Sequence, residues 1–536
     1  MPRRKRNHTW RWILAIVIAL LCALAISIRL IIAHAEPVLR SRVVETLSAR
    51  FKSRVELAEM HVWIANDLHV SGKGLKVYGA NDPNPWQEGV QPLIEVGEFS
   101  FQTDLRNLFR DPMNVDVIYV KDLTMNVPPK SDRQQMTTLR KRSGKMSISV
   151  DRFYCTNTKL LINTLTPGKA PLEFDIRDLQ MKDIGPGLPL RFEATLTNPK
   201  PVGEIHSVGQ FGPINEQTPR DSAVAGEYSF TNADLGTLKG LGGMLSSTGK
   251  YSGTLGQIVV DGETDTPDFR IAVSNHPMPL HTQFHAVVDG TDGDTFLEPV
   301  SAKVRHSSFS ARGKVVRTVS GKRDIELQVT MSRGRIEDLL ALGVRTDIPV
   351  LSGAIAANAK MSLPPGEEDI ANRLILDGKF HIRSSFFSND KLQDRIDSLS
   401  LRSRGKPKLA KEADPPDVPS DLQGTFKLRN ALLNFSFLHF AIPGTHADMT
   451  GQYSLDGNVF DFHGTLKLDA RLSQMTTGWK SILLKPFDPF FHKDGAGTEL
   501  PFKITGTRSE PHFGLDFGHH EQLSKPVHGP AEAASH

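Results

Sequence analysis

From Val55 onward the chain alternates apolar and polar residues in runs of roughly 6 to 13 positions, broken by Gly, Asn, Asp and Pro. A period of two with one apolar side marks half-buried strands of an antiparallel sheet. In the longest run, Phe460 to Leu472, one side carries Phe460, Phe462, Gly464, Leu466, Leu468, Ala470 and Leu472, and the other Asp461, His463, Thr465, Lys467, Asp469 and Arg471. The pattern returns at Leu374, Leu376, Gly378, Phe380 and Ile382, at Ile325, Leu327, Val329 and Met331, and at Leu190, Phe192, Ala194 and Leu196. No motif recurs at the fixed spacing of a propeller or a leucine-rich solenoid, so the pattern predicts a long succession of similar strands.

Helical periods are few. Ile336, Leu339 and Leu340 predict one short amphipathic helix, and Asp234 to Leu245 a second, broken by its glycines. Trp479, Ile482, Leu483, Phe487, Phe490 and Phe491 also step by three and four, with Pro486 and Pro489 set to kink or end that element. This segment reads either as a plug on the end of the sheet or as an amphipathic element touching a membrane or partner.

Ahead of the strands the text changes altogether. Trp12 to Ile28 carries no charge, and Leu30 to Ala33 extends the apolar run past Arg29, enough for a helix of about 20 residues to cross a bilayer. Arg3, Arg4, Lys5, Arg6 and Arg11 precede it and favour a cytoplasmic N-terminus, although Arg40, Arg42, Arg50, Lys52 and Arg54 follow. The competing reading is a cleaved signal peptide ending at Ala33-His34-Ala35; the length of the run and Arg29 speak for an uncleaved anchor. The resulting division is a basic cytoplasmic tail over 1–11, a transmembrane helix over 12–33, a juxtamembrane helix over 34–54, an exported β region over 55–517 and a disordered tail over 518–536. Loops are expected at 130–145 and 404–420.

Composition narrows the function classes. The 536 residues exceed the usual limit of one hydrophobic core. With 39% hydrophobic and 23% charged residues, most of the chain is a folded region outside the bilayer. The net charge of +4 resides largely in the basic tail; the remainder is near neutral, which excludes nucleic acid as a partner. Two cysteines, Cys22 and Cys155, exclude a disulfide framework and a Cys-ligated metal.

Catalytic signals are missing: there is no Gly-x-Ser-x-Gly elbow, glycine-rich phosphate loop or paired-His zinc helix, so the chain is expected not to be an enzyme and to need no cofactor. The acidic runs Asp261 to Asp268 and Asp289 to Asp294 resemble calcium loops, yet lack the twelve-residue spacing and closing Glu; both read as strand-joining turns. His281 and His285 share one face of a strand, with His276 nearby, and are expected to face solvent without a metal.

A long sheet with one apolar face must cover it or offer it to an apolar ligand. Periodicity leaves open a sandwich, a barrel and a half-pipe. Here a resemblance adds to the residues. Thr46 to Gly79 (TLSARFKSRVELAEMHVWIANDLHVSGKGLKVYG), following the apolar segment, resembles the start of AsmA-like proteins. Leu241 to Phe269, Pro279 to Val304, Phe426 to Gly457 and Pro501 to Phe517 are similar to the central and closing parts of that family.

The resemblance implies a bacterial inner-membrane protein, its bulk in the periplasm, built as a mainly β, elongated, curved antiparallel sheet. Such a taco-like groove, with a few short helices, belongs to the bridge-like lipid-transfer superfamily. It implies phospholipid acyl chains as ligands, an outer-membrane or envelope protein as a further partner, and a role in phospholipid transport or outer-membrane maintenance. Ile325, Leu327, Val329, Leu374, Leu376, Phe380, Ile382, Phe460, Phe462, Leu466 and Leu468 would then line the groove. A dry-cored scaffold or assembly factor for outer-membrane proteins is the alternative.

Overall fold

The computed structural model describes the chain from Arg54 to Asp516, with Ser41, Val44, Glu45 and Ser48 ahead; the longest stretches left out are 79–90, 128–147, 163–171 and 478–496 apart from Lys485. The described residues form one sheet of 24 strands, from β1 (Val55–Ile64) to β24 (Pro511–Leu515). Each strand pairs with its neighbours in the chain, except that the two-residue β10 (Leu241–Gly242) sits on β12 (Gln257–Ile271), leaving β9 (Ala223–Asp234) to pair with β11 (Met244–Thr254). Every pair is antiparallel but one: β4 (Met113–Val127) and β5 (Ile148–Ile162) run parallel. A parallel pair needs a connection that returns the whole length of a strand, and residues 128–147 supply it. The two end strands do not meet, so the sheet is open, and it is curved. At about 4.8 Å per strand it runs about 110 Å from edge to edge.

Directly opposed residues of paired strands share a face, so the register can be followed from one end to the other. Val62 opposes Val70, which opposes Phe101, which opposes Ile118. Further on, Phe192 opposes Met181, Phe284 opposes Val300, Leu327 opposes Met361, and Leu376 opposes Leu428. At the far end Phe462 opposes Ile504, which opposes Phe513. One face is therefore apolar along the whole sheet, while charged side chains take the other, as with the ion pairs Lys73–Glu98, Lys314–Glu326 and Lys427–Asp377. Glycines on the apolar face leave room for rings from neighbouring strands: a Cβ at Gly72 would lie 2.4 Å from the Phe99 ring, and one at Gly262 would lie 2.7 Å from that of Phe284.

Among the described residues three α-helices interrupt the meander. Ile336–Gly343 (α1) forms where its spacing predicts, with Glu337 and Asp338 favourable in its first turn. α2 is a single turn, Ile370–Arg373. α3, Asp390–Ser403, begins at Asn389, whose side chain accepts from the Leu392 N–H at 3.0 Å. α1 and α3 pack against one margin of the sheet. Ile336, Leu339 and Leu340 meet Met331, Leu351, Ile355 and Ile382, and Ile396 meets Val418 and Ile442.

Several expectations change. Asp234 to Leu245 is not a helix: Asp234 ends β9, Leu235–Thr237 is a 3-10 turn, and β10 and β11 follow. Gly240 at φ +93° and Gly243 at φ +121° have no place in a right-handed helix. Leu374 lies outside its expected strand, since α2 runs to Arg373 and β18 starts at Ile375. Leu472 opens a 3-10 turn after β22 (Val459–Leu468) has ended. The stretch 404–420 is partly built: Leu409–Lys411 form a 3-10 turn, Val418 is buried, and Ser420 begins β19 (Ser420–Arg429).

The expected transmembrane segment, the loop 130–145 and the tail from 518 fall outside the described residues, as does the Trp479 to Phe491 segment apart from Lys485. Among the described residues no helix is long and apolar enough to cross a membrane. Of the juxtamembrane stretch, Ser41, Val44, Glu45 and Ser48 are described and helical, and Arg54 is described and not helical.

Candidate functional site: the apolar face

The candidate lining residues converge. Ile325, Leu327 and Val329 on β16 (Arg323–Arg335) oppose Leu363, Met361 and Ala359 on β17 (Leu351–Leu363). Leu376, Phe380 and Ile382 on β18 (Ile375–Phe387) oppose Met361, Ala357 and Ile355 on the same strand. Phe460, Phe462, Leu466 and Leu468 oppose Tyr453, Gly451, Ala447 and Thr445. Ten of the eleven thus belong to one continuous face, and Leu374 alone sits beyond it, in the turn after α2.

Bulky side chains on this face reach over an intervening strand. Phe380 on β18 meets Phe435 on β20 (Leu432–Ile442) with ring centroids 6.2 Å apart, and Phe435 meets Phe462 on β22 at 5.7 Å. Such contacts draw alternate strands together on the apolar side. Among the described residues no second sheet covers this face; α1 and α3 close one margin only. Most of its side chains are consequently half-buried rather than buried. At the C-terminal edge Phe513 is 60% and Leu515 51% exposed, so the lining reaches the open end of the sheet.

The face holds one polar band, which alternation did not reveal because its strands are built from Ser, Thr, Tyr and Gly. On β8 (Val202–Phe211) Ser207 Oγ lies 2.8 Å from Tyr251 Oη of β11, and Tyr228 Oη of β9 lies 3.1 Å from Ser247 Oγ of β11. Thr264 on β12 and Thr282 on β13 (Met278–Val288) pair through their hydroxyls at 2.5 Å. Burial raises both phenol pKa values, and the serine hydrogen bonds partly offset this.

The opposite face takes the remaining chemistry. His281 and His285 do share a side of their strand, and each binds a carboxylate of β12: His281 Nδ1 lies 2.8 Å from Asp265 and His285 Nδ1 2.7 Å from Asp261. His276 lies in the turn before β13 and does not join them. Among the described residues no three His, Cys, Asp or Glu side chains gather into a metal site. Asp261 to Asp268 is strand rather than turn, whereas Asp289 to Asp294 is the expected tight turn. There Asp289 accepts from the Thr291 N–H at 2.8 Å and pairs with Arg220 at 3.1 Å, and Asp294 accepts from the Arg317 N–H at 2.9 Å. Cys155 is buried on the apolar side, 2.9 Å from the Thr158 hydroxyl, and burial raises its thiol pKa.

The chain matches no protein-family model, no curated protein and no solved structure.

Proposed function

We propose that this chain is an AsmA-like, inner-membrane-anchored periplasmic protein that holds phospholipid acyl chains on its apolar face. Its role would be phospholipid transport toward the outer membrane or upkeep of that membrane. One observation carries the reading: a single apolar face runs through all 24 strands with no described layer over it. Strands of ten or more residues along an arc of about 110 Å give on the order of 3,000 Å² of such surface, against the few hundred square ångströms that an ordinary monomer exposes. Acyl chains suit it because they need neither hydrogen bonds nor a fixed register. Binding, not catalysis, is the activity proposed, and it calls on no metal or cofactor.

The test is to purify the full chain gently from membranes and analyse its bound lipid by mass spectrometry. Stoichiometric phospholipid supports the reading, and lipid-free protein refutes it. A second reading, a scaffold or assembly factor for outer-membrane proteins, draws on the five-residue strand β24 at the edge of the described sheet, with its exposed Phe513 and Leu515. Photo-crosslinkers at Phe380 and Leu466 that capture protein and never lipid would favour it.

A further inference from the structure

Followed strand by strand, the register shows the two long margins of the sheet meeting. One margin passes from Asp234 of β9 to Met244 of β11, from Thr266 of β12 through Leu280 of β13 to Val304 of β14 (Thr295–Val304), and from Arg335 of β16 to Ala354 of β17. The other passes from Thr254 of β11 to Gln257 of β12, from Val288 of β13 to Thr295 of β14, from Arg317 of β15 (Ser307–Arg317) to Arg323 of β16, and from Ser362 of β17 to Ile375 of β18. The connection 235–243 between β9 and β11 therefore lies on the first margin, and the connection 364–374, which carries α2, on the second. They are nonetheless in contact: the Ile370 N–H donates to the Lys239 carbonyl at 3.3 Å, and a Cβ at Gly240 would lie 2.5 Å from Asp369 Oδ1.

Such a contact requires the ribbon of strands to tilt and roll until its margins face each other, as the strands of a barrel do. Rings that reach over alternate strands lie on the apolar face, so that face is the inside of the roll. The 364–374 connection thus spans the mouth of the groove, with β11 to β16 as the floor beneath it. On its own margin it is braced: Arg373 Nη2 donates to the Pro364 carbonyl at 2.7 Å, Glu367 pairs with Lys322 at 2.7 Å, and Asp369 accepts from the Ala371 N–H at 2.9 Å. Across the mouth it is held by the Ile370 bond, long for a backbone pair, and by charge. Glu367 lies below the usual carboxylate pKa, first through its Lys322 hydrogen bond and then through the charges of Lys322 and of Lys200 and Lys239, the last two on the facing margin.

We propose that the 364–374 connection is a clasp across the mouth of the groove, which must open for a phospholipid to move from the strands before it to those beyond. The inference rests on the lipid-binding reading and adds a control point to it. Acyl chains alone can thread beneath a shut clasp. A polar head travelling in water outside the mouth cannot be drawn under it without losing its hydration. A connection braced on one margin and lightly held to the other opens as a unit, like a hinged arm.

The experiment locks the clasp. The full chain carries Lys239→Cys/Ile370→Cys, together with a photo-crosslinking residue either at Phe192 on β7 (Leu190–Pro199), ahead of the clasp, or at Phe462 on β22, beyond it. Phospholipid captured at each position in cells is read by mass spectrometry with the cysteine pair oxidised and reduced, and the two single-cysteine variants control for oxidation. Oxidation is expected to link the margins, to leave capture at Phe192 unchanged and to abolish it at Phe462, with reductant restoring it. Should the two sulfurs be misaligned, a short bismaleimide closes the same pair. A folded chain that neither reagent links overturns the clasp. A linked chain that still captures lipid at Phe462 overturns its role as a gate and leaves the groove reading standing. Capture at neither position in the reduced protein overturns the groove reading itself.

Discussion

Neighbouring residues on one strand separate the two faces most sharply. Phe380 lies on the apolar face, its ring 6.1 Å from that of Phe426 and 6.2 Å from that of Phe435, while Lys379 is exposed on the opposite side. Phe380→Asp puts a carboxylate into the middle of this aromatic patch; Lys379→Glu puts one a single residue away, facing solvent, because successive side chains alternate. If an acyl chain lays about four methylenes on the patch at about 0.8 kcal/mol each, losing them costs about 3 kcal/mol. That corresponds to about a 100-fold weaker association. A buried carboxylate would cost more, several kcal/mol, but a lipid that vacates the patch limits the loss to its own contacts. The assay is displacement of a fluorescent phospholipid from the full chain, with far-ultraviolet circular dichroism to show that the sheet is retained. The expected outcome is strong loss for Phe380→Asp and near-normal binding for Lys379→Glu. Equal binding by both folded variants, or equal loss, would falsify the assignment of lipid to this face.

Three further expectations concern the frame. His463 Nδ1 lies 2.6 Å from Asp516 and Nε2 2.9 Å from Asp461; chiefly the Asp516 hydrogen bond, opposed by burial and reinforced by Asp461, raises its pKa. A raised histidine pKa adds stability that is complete below the unfolded value of about 6.5 and lost as pH climbs through the folded value. Protection of the 512–515 amides, taken as exchange rates relative to their intrinsic values at each pH, should therefore fall as pH rises above about 6.5, and protection that does not change with pH would rule this out. Asp397, fully buried, accepts from the Val418 N–H at 2.8 Å and Gln393 Nε2 at 2.9 Å, and has a pKa raised first by burial. Asp397→Asn should leave the melting temperature nearly unchanged, whereas Asp397→Ala should cost about 1–3 kcal/mol by stranding the buried Val418 donor. At Gly313, φ is +151° and a Cβ would stand 2.1 Å from the Glu326 carbonyl oxygen, so Gly313→Ala should cost about 1–3 kcal/mol in thermal or denaturant melts.

What sequence conveyed follows from how the chain meets water. Where one side of a strand is plainly apolar and the other charged, as from Phe460 to Leu468, alternation gives both the strand and its face. Failures cluster where that contrast is weak. Leu235, Leu238, Leu241 and Leu245 mimic a helical period, and only the backbone angles of Gly240 and Gly243 expose the mimicry. α3 escaped notice because Gln393, Asp397, Ser400 and Ser403 face inward and disguise its buried stripe. The tyrosine band did so for a related reason: hydroxyls satisfied by one another sit on an apolar face, but as letters they read as surface or turn. The parallel step between β4 and β5 left no trace in the periodicity of either strand, since direction does not alter a period of two.

Because pairing follows chain order almost throughout, the sheet is nearly one-dimensional: each strand is paired with its two neighbours, and no pairing joins β1 to β24. Stability in such an array is approximately a sum of strand terms and neighbour terms, as in solenoid repeats. All-or-none melting is then lost once the array is long. Among the described residues the ends of the array are β1 and β24, and β24, with five residues against the ten of β1, is the weaker boundary. Three pairings must find their register across long connections: 20 residues, 128–147, between β4 and β5, 32 residues, 388–419, between β18 and β19, and 29 residues, 469–497, between β22 and β23 (Thr498–Thr507). They divide the array into stretches joined by shorter connections, with loop closure at each of the three as the slow step.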